Sequence, residues 1–562
     1  MSLKAIFPGS LLSLQSHMST PKIIIKNSNV VDKNISTADL ISLLLKNRKI
    51  SPTSDFLSPQ FPEKPKDIHL ATAVKLIKQS ISNNDNILIY GDYDVDGITS
   101  TAILWQSLYQ AKAHVTPFIP DRQLDGYGFK AKSFLRFQKS SGQKFSLLIT
   151  VDNGIVAHLE IAKIKKLDLK IIILDHHLPQ NSLPVADSII HSTKVAACAL
   201  AWYLAKEFDK NADLGLVALG TVADCLPLVG QNRNLVVHGL KSLRLNPSSG
   251  IKKLIEISGL KPDSITAYDL GFTLGPRINA VGRLSNPTDA LRLLCSQTPA
   301  QAQKYAQVLD NYNQDRQILQ RESQILAELQ VDLKNKLLFI SDSFFHPGVI
   351  GLIAGRLTER YYLPTIAISI DNGTAKGSCR SIPNLNIIET LRELDPKLFI
   401  DLGGHAGAAG FSILTKNIKS LKTALTKLIN KKLQNVDLTP TIEIDAAMKL
   451  SAVNLKNIKA ISELEPFGLG NPHPLFLFNN VRVVSKRVLG STGDHLKLKL
   501  DDPSTPKIEN LPADAIAFKK GQLDSQIKLD DVVDIIAELS ANTWQETTTP
   551  QLIVKEIIQH AV

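Results

Sequence analysis

Aspartate and histidine recur in this chain at the ends of short apolar runs, and acids in that number suit the binding of divalent cations. Ile87-Leu88-Ile89-Tyr90 runs into Gly91-Asp92-Tyr93-Asp94-Val95-Asp96-Gly97, and Leu147–Val151 into Asp152-Asn153-Gly154. Ile171–Leu174 runs into Asp175-His176-His177, and Leu214–Val222 into Ala223-Asp224. So many carboxylates cannot share a crevice without cations, because like charges at close range raise each other's pKa. Oxygen ligands with one or two imidazoles suit Mn²⁺ or Mg²⁺ better than a thiolate-seeking metal. In Asp94-Val95-Asp96, residues two apart in an extended segment point the same way and could face one metal pair. The bland alternative is that each Asp only caps the helix after it, a reading that fits Asp175 best.

The elements that must position these groups follow from the runs themselves. Short, nearly continuous apolar stretches bounded by Gly and Asp read as strands buried on both faces of a parallel sheet. All four runs, Leu214–Val222 included, are expected to be such strands. Open parallel sheets bind ligands beyond the carboxyl ends of their strands, which brings the acids to one crevice. Residues 98–113 and 154–167 supply helical crossovers, and a helical region over about 235–294 completes the unit.

The 562 residues hold ample core for three or four domains. A net charge of +11 fits a polyanionic partner, and is also compatible with an ordinary Lys-rich surface. Four dispersed cysteines without a CxxC pair suggest a reducing compartment and no structural zinc. No apolar stretch of membrane-spanning length is free of charge. The N-terminal twenty residues read as a loosely ordered leader rather than a signal peptide. A short helix over 38–50 and a Pro-rich connector over 51–66 follow. Thr298-Pro299-Ala300-Gln301 announces a helix by its capping residues, and apolar spacing carries it to Lys334. At 1.5 Å per residue it would reach roughly 50 Å, a length suited to joining two domains. A second α/β domain follows over about 336–432, and short β-rich runs after it fit a small barrel. The boundaries expected are 1–66, 67–297, 298–335, 336–432 and 433–562.

The motifs carry a family resemblance. GDYDVDG (91–97), VDNG (151–154), DHH (175–177) and VADCLPL (222–228) resemble the four motifs of the DHH phosphoesterase superfamily. GPRINAVGRL (275–284), HPGVIGLIAGRL (346–357), GSCRS (377–381), GGHAGAAG (403–410) and EPFGLGNPHPLF (465–476) resemble its RecJ single-strand-specific exonuclease branch. The likeness runs from about Leu43 to the C-terminus. It implies an α/β architecture: a parallel-sheet DHH catalytic domain, a long helix, a DHH-associated α/β domain and an OB-like barrel. It also implies two Mn²⁺ or Mg²⁺ ions held by Asp92, Asp94, Asp96, Asp152, His176 and Asp224, with Asp152 bridging. His177 would donate to the scissile phosphate or hydrogen bond to a ligand. Arg122, Arg277 and Arg283 would meet the strand, with a structural salt bridge as the alternative for the latter two. Ser378, Arg380 and His405 would hold a terminal phosphate. Asn471-Pro472 reads as a turn closing the linker to the barrel. The implied activity is 5′→3′ hydrolysis of single-stranded DNA to mononucleotides in repair and recombination. The implied setting is cytoplasmic and monomeric, without a membrane, with a single-strand-binding protein and a helicase as partners. The rivals are an oligonucleotide or cyclic-dinucleotide phosphodiesterase of the same superfamily and an inactive nucleic-acid-binding scaffold. Phe345 stands where Trp is common and Cys379 where a small residue is usual, and the segment after Asp175-His176-His177 is short; none of these removes a motif acid.

Overall fold

The computed structural model describes residues 21–51, 53–122, 124–490, 492–504 and 512–560. The expected leader, residues 1–20, lies outside them. The chain forms two compact units. One is Ser51–Gln317 together with Leu464–His473; the other gathers the described residues up to Ile50, Ile318–Glu463 and the chain from Pro474 on.

The first unit is built on five parallel strands: β1 (Asn86–Tyr90), β2 (His114–Phe118), β3 (Leu147–Val151), β4 (Lys170–Asp175) and β5 (Ser188–His191). Their order is β2-β1-β3-β4-β5. Alternate residues feed two cores. Ile87, Ile89, Leu147, Ile149 and Ile172 face one side, while Leu88, Tyr90, Leu148, Ile171 and Ile173 pack on Phe129, Phe134 and Phe145 on the other. Burial on both faces is why the strands read as unbroken apolar runs. The order reverses between β1 and β3, which opens a crevice at their carboxyl ends. Between them run α1 (Val95–Gln110), α2 (Ala131–Ser141) and α3 (His158–Lys165). After β5 come α4 (Ala197–Ala205), α5 (Leu214–Ala223), α6 (Gly230–Leu245) and, later, α7 (Gly275–Leu284).

Two sequence expectations fail here. The fourth apolar run, Leu214–Val222, is the helix α5 and not a strand. Every residue from Leu214 to Thr221 is buried, and a helix apolar all round shows no period that separates it from a buried strand. Asp213 caps it, accepting from the Gly215 amide at 2.8 Å. Nor do Asp94 and Asp96 share one extended segment: the backbone of Asp94 is extended, but the helix begins at Val95. Asp94 is the N-cap of α1, accepting from the Gly97 amide at 3.1 Å, and Asp96 sits in its first turn.

The connector is α8 (Pro299–Glu328). Its N-terminus is capped as expected, with the Thr298 hydroxyl accepting from the Gln301 amide at 3.3 Å. It ends short of Lys334, where the Asp332 carboxylate takes the Lys334 amide at 3.0 Å and turns the chain. In the second unit, β6 (Leu338–Asp342), β7 (Thr365–Ile370), β8 (Thr374–Arg380), β9 (Phe399–His405) and β10 (Ala408–Leu414) form a sheet of order β9-β10-β8-β7-β6. The helix α9 (Ile350–Tyr361) follows β6. The buried carboxylate of Glu328 fixes the end of α8 to α9, accepting from Arg360 Nη1 at 2.8 Å and from the Tyr361 hydroxyl.

The C-terminal strands β11 (Phe476–Leu489), β12 (His495–Asp501), β13 (Ala513–Ala517), β14 (Val532–Trp544) and β15 (Thr547–Gln559) pair in the order β12-β13-β15-β14-β11. β11 pairs again with β12, which closes a five-stranded barrel of the OB kind. The N-terminal segment belongs to this unit. Lys22–Ile25 pairs in parallel with Thr441–Ile444, and Val30–Val31 with Ala447–Met448. The expected short helix is Thr37–Asn47, and next to it the buried Arg48 reaches Asp445 at 3.2 Å.

Candidate metal centre

Strand ends deliver most of the acids. Asp92 follows β1, Asp152 and Asn153 follow β3, and Asp175 closes β4 just before His176 and His177. Asp224 arrives differently, as the C-cap of α5. The groups converge on His176. Its Nε2 lies 3.3 Å from Asp152 Oδ1, 3.5 Å from Asp224 Oδ2 and 3.7 Å from Asp96 Oδ2. Two overlapping sets of donor atoms, Asp96–His176–Asp224 and Asp152–His176–His177, each gather within 4.8 Å.

The charge balance is strained without cations. Burial, then the fields of Asp96, Asp94 and Asp92, drive the Asp152 carboxyl well above its ordinary range. Burial and Asp94 push Asp92 up to about 8, and burial with Asp96 and Asp94 pushes Asp224 up to about 8. Asp152 Oδ1 is buried and has no hydrogen-bond partner, at a residue whose φ of +61° aims it by a left-handed turn. An orphaned buried carboxylate oxygen facing an imidazole and two further acids is a fit for a bound cation.

Several of these groups are held by contacts the sequence did not reveal. Asp96 accepts from the amides of Ala197 at 2.8 Å and Cys198 at 2.9 Å, so it caps α4 while presenting Oδ2 to His176. A carboxylate has about four lone-pair sites, enough for both roles. Asp175 takes the Ile155 amide at 2.9 Å and His177 Nδ1 at 2.8 Å. It therefore orients an imidazole rather than a metal. Burial opposes charge on His177, but the Asp175 hydrogen bond and field, with Asp224 and Asp92, lift it to about 9. The other ring nitrogen of His177 meets the Tyr127 hydroxyl at 2.9 Å.

The expected strand contacts divide. Arg122 lies over the Tyr93 ring, 5.3 Å from its centre. Arg283 is near enough to Tyr93 for its charge to be felt there. Arg277 donates to Asp310 at 2.9 Å and to the Thr273 carbonyl at 2.8 Å, which braces α7 on α8. In the second unit, strand register sets Arg380 and His405 each opposite Ala408, and Ser378 opposite Gly410 and thus Gly403. Paired residues share a face. This face carries glycine between its polar side chains, while Cys379, Ala409 and Phe411 point into the core on the other. Cys379 thus leaves the GSCRS face unobstructed. Gly351, in the first turn of α9, approaches Ser378 and Arg380 so closely that a Cβ would lie 3.1 Å from Ser378 Oγ.

Gly97 carries its own consequence. A Cβ there would sit 2.6 Å from the backbone of Asp92. Gly97→Ala should therefore destabilise the protein by about 1–3 kcal/mol and displace Asp92 and Asp94 enough to cost roughly 100-fold in rate. Thermal melting and metal-dependent turnover check the two halves.

The fold and the site define a DHH-type phosphoesterase: residues 86–224 match the DHH family, N-terminal domain, and residues 334–431 the DHHA1 domain. Residues 444–556 match the RecJ OB domain. The single-stranded-DNA-specific exonuclease RecJ of Bacillus subtilis (strain 168) is 34% identical over 546 residues, covering 94% of this chain and 67% of that protein. That of Escherichia coli (strain K12) is 30% identical over 531 residues, 86% of this chain and 89% of that protein. The crystal structure of RecJ in complex with Mn²⁺ from Thermus thermophilus aligns with a TM-score of 0.79 at 28% identity, over 93% of this chain and 76% of that one. The chain belongs to the RecJ family of single-stranded-DNA-specific exonucleases. Among the described residues, no helix is long and apolar enough to cross a membrane.

Proposed function

We propose that this chain is a metal-dependent exonuclease that hydrolyses single-stranded DNA from its 5′ end and releases 5′-mononucleotides, in DNA repair and recombination. The observation that carries the reading is Asp152, whose buried Oδ1 has no hydrogen-bond partner and faces His176 at 3.3 Å. Asp94, Asp96, Asp152, His176 and Asp224, with Asp92 alongside, would hold two Mn²⁺ or Mg²⁺ ions. When bound, such a pair lowers the pKa of a shared water and offsets charge on both oxygens of an in-line displacement.

The chain's own groups do the rest. Asp175 fixes the ring of His177, whose Nε2–H can turn its hydrogen bond from the Tyr127 hydroxyl to a phosphate oxygen. Arg122 and Arg283 flank Tyr93 and meet the strand's backbone. Ser378, Arg380 and His405 take a terminal phosphate on the polar face of their sheet. The preference for single-stranded DNA rests on the relatives' names, and the polarity on the family resemblance. The matched RecJ OB domain and the near full-length relatives favour this reading over a small-molecule phosphodiesterase of the same superfamily.

Chelation is the direct test. Stripping metal and adding excess EDTA should abolish cleavage of 5′-labelled single-stranded DNA, and Mn²⁺ or Mg²⁺ should restore it. Full turnover in EDTA would overturn the metal mechanism. The same assay with 3′-labelled, RNA and duplex substrates tests polarity and specificity.

A further inference from the structure

Asn471-Pro472, within EPFGLGNPHPLF, reads in sequence as a turn closing the barrel linker, and the structure packs Leu464–His473 into the catalytic unit. The segment folds on itself around Asn471, whose side chain is wholly buried. Asn471 Nδ2 donates to the carbonyls of Leu464 at 2.8 Å and Pro466 at 3.0 Å. Gly468 and Asn471 exchange backbone hydrogen bonds at 2.9 and 3.1 Å, which makes the segment a closed loop.

What this loop touches is the chain just after a metal-centre acid. The Leu469 carbonyl accepts from the Leu228 amide at 2.7 Å. Gly470, at φ +75°, lies so near Pro227 that a Cβ would come within 3.0 Å of it, and one on Gly468 would come within 2.7 Å of Leu228. Leu226 in turn donates to Thr221 O at 3.2 Å, across the turn that ends α5 and presents Asp224. Arg233, on α6 and 2% exposed, anchors the near end of the loop through Leu464 O at 3.0 Å, while its Nε holds the Phe56 carbonyl at 3.1 Å.

We propose that Leu464–His473 is a positioning clamp for the metal centre. Asn471 keeps the loop in shape, the loop holds Pro227 and Leu228, and these hold the turn that carries Asp224 towards His176. Asn471 and Gly470 are positioning residues: neither touches substrate or metal. The inference rests on the metal-dependent reading of the site. It adds that chain leading directly into the barrel strands sets how well that site binds its cation.

The test uses the full-length protein. Mn²⁺ binding is titrated without DNA by electron paramagnetic resonance of the free ion, alongside turnover as a function of Mn²⁺, single-stranded DNA affinity in EDTA, and melting temperature. Asn471→Ala should weaken Mn²⁺ binding about tenfold, the lower range for a group that supports a ligand. Saturating Mn²⁺ should return turnover close to wild type, and DNA affinity in EDTA should not change. Gly470→Ala, which sets a methyl against Pro227 and strains a left-handed backbone while keeping the Asn471 side chain, should shift the Mn²⁺ dependence in the same direction and serves if Asn471→Ala does not fold. A lower melting temperature with unchanged Mn²⁺ affinity in both variants would make the loop merely structural and overturn the clamp. If the wild-type chain itself binds no Mn²⁺, the metal-dependent reading fails instead.

Discussion

Asp152→Ala is expected to abolish cleavage while leaving affinity for single-stranded DNA near that of the unaltered chain. Asp152 is buried at the end of β3, its left-handed backbone aims it at His176, and its Oδ1 accepts no hydrogen bond. Removing it takes away the acid proposed to bridge both ions. Since cations supply several kcal/mol of transition-state stabilisation, the loss should be roughly 1,000-fold or more. His177→Ala should cost less, because both nitrogens of that ring are already engaged, by Asp175 and by Tyr127. Single-turnover rates on 5′-phosphorylated oligonucleotides, with binding measured separately in EDTA, check both variants. Comparable turnover by Asp152→Ala and wild type would show that the site is misassigned.

Arg380→Ala should discriminate between substrates. Arg380 and His405 share a sheet face with Ser378, and Arg380 Nη1 is steered by the Cys379 carbonyl at 2.8 Å. A guanidinium so placed suits a terminal phosphate through charge-assisted bonds. Losing one such contact should cost about 1.5–3 kcal/mol, or roughly 10- to 150-fold, on a 5′-phosphorylated strand and little on a 5′-hydroxyl strand. Arg283→Ala should weaken both alike. Competition between the two end chemistries reads the ratio directly; an equal loss on both would make Arg380 a general backbone contact.

Much of the catalytic sheet was legible because its inner strands are apolar on both faces and end in Gly and Asp. The edges were not. β2, His114–Phe118, contains Pro117, which argues against a central strand but is tolerated on the edge where β2 lies. In the barrel, Ala513–Ala517 is rich in Ala and Asp, which have little strand preference, and is held by its neighbours on both sides. Leu214–Ala223 was legible as buried but not as helical. For the site, the acids and histidines declared themselves by type and position. Their partners did not: the amides of Ala197 and Cys198 lie about a hundred residues from Asp96, and only the fold brings them together. The helix N-cap at Asp94 was open to view in the sequence, since a good capping residue directly precedes the helix. It lost there to the expectation of an extended strand end.

The pairing of Lys22–Ile25 with Thr441–Ile444 bears on how the chain is made. The two partners are about 420 residues apart, so at roughly 5–20 residues per second the first waits some 20–80 s for the second. Throughout that time Ile23, Ile24 and Ile25 have no strand beside them. The catalytic sheet needs nothing beyond His191 to pair its five strands and is free to form on the ribosome. Leu464–His473, however, has not yet been synthesised when that sheet closes. A nascent nuclease thus passes through translation with its sheet built and the turn at Asp224 still unbraced, and under the proposed clamp its metal centre would mature only as the barrel strands begin to emerge.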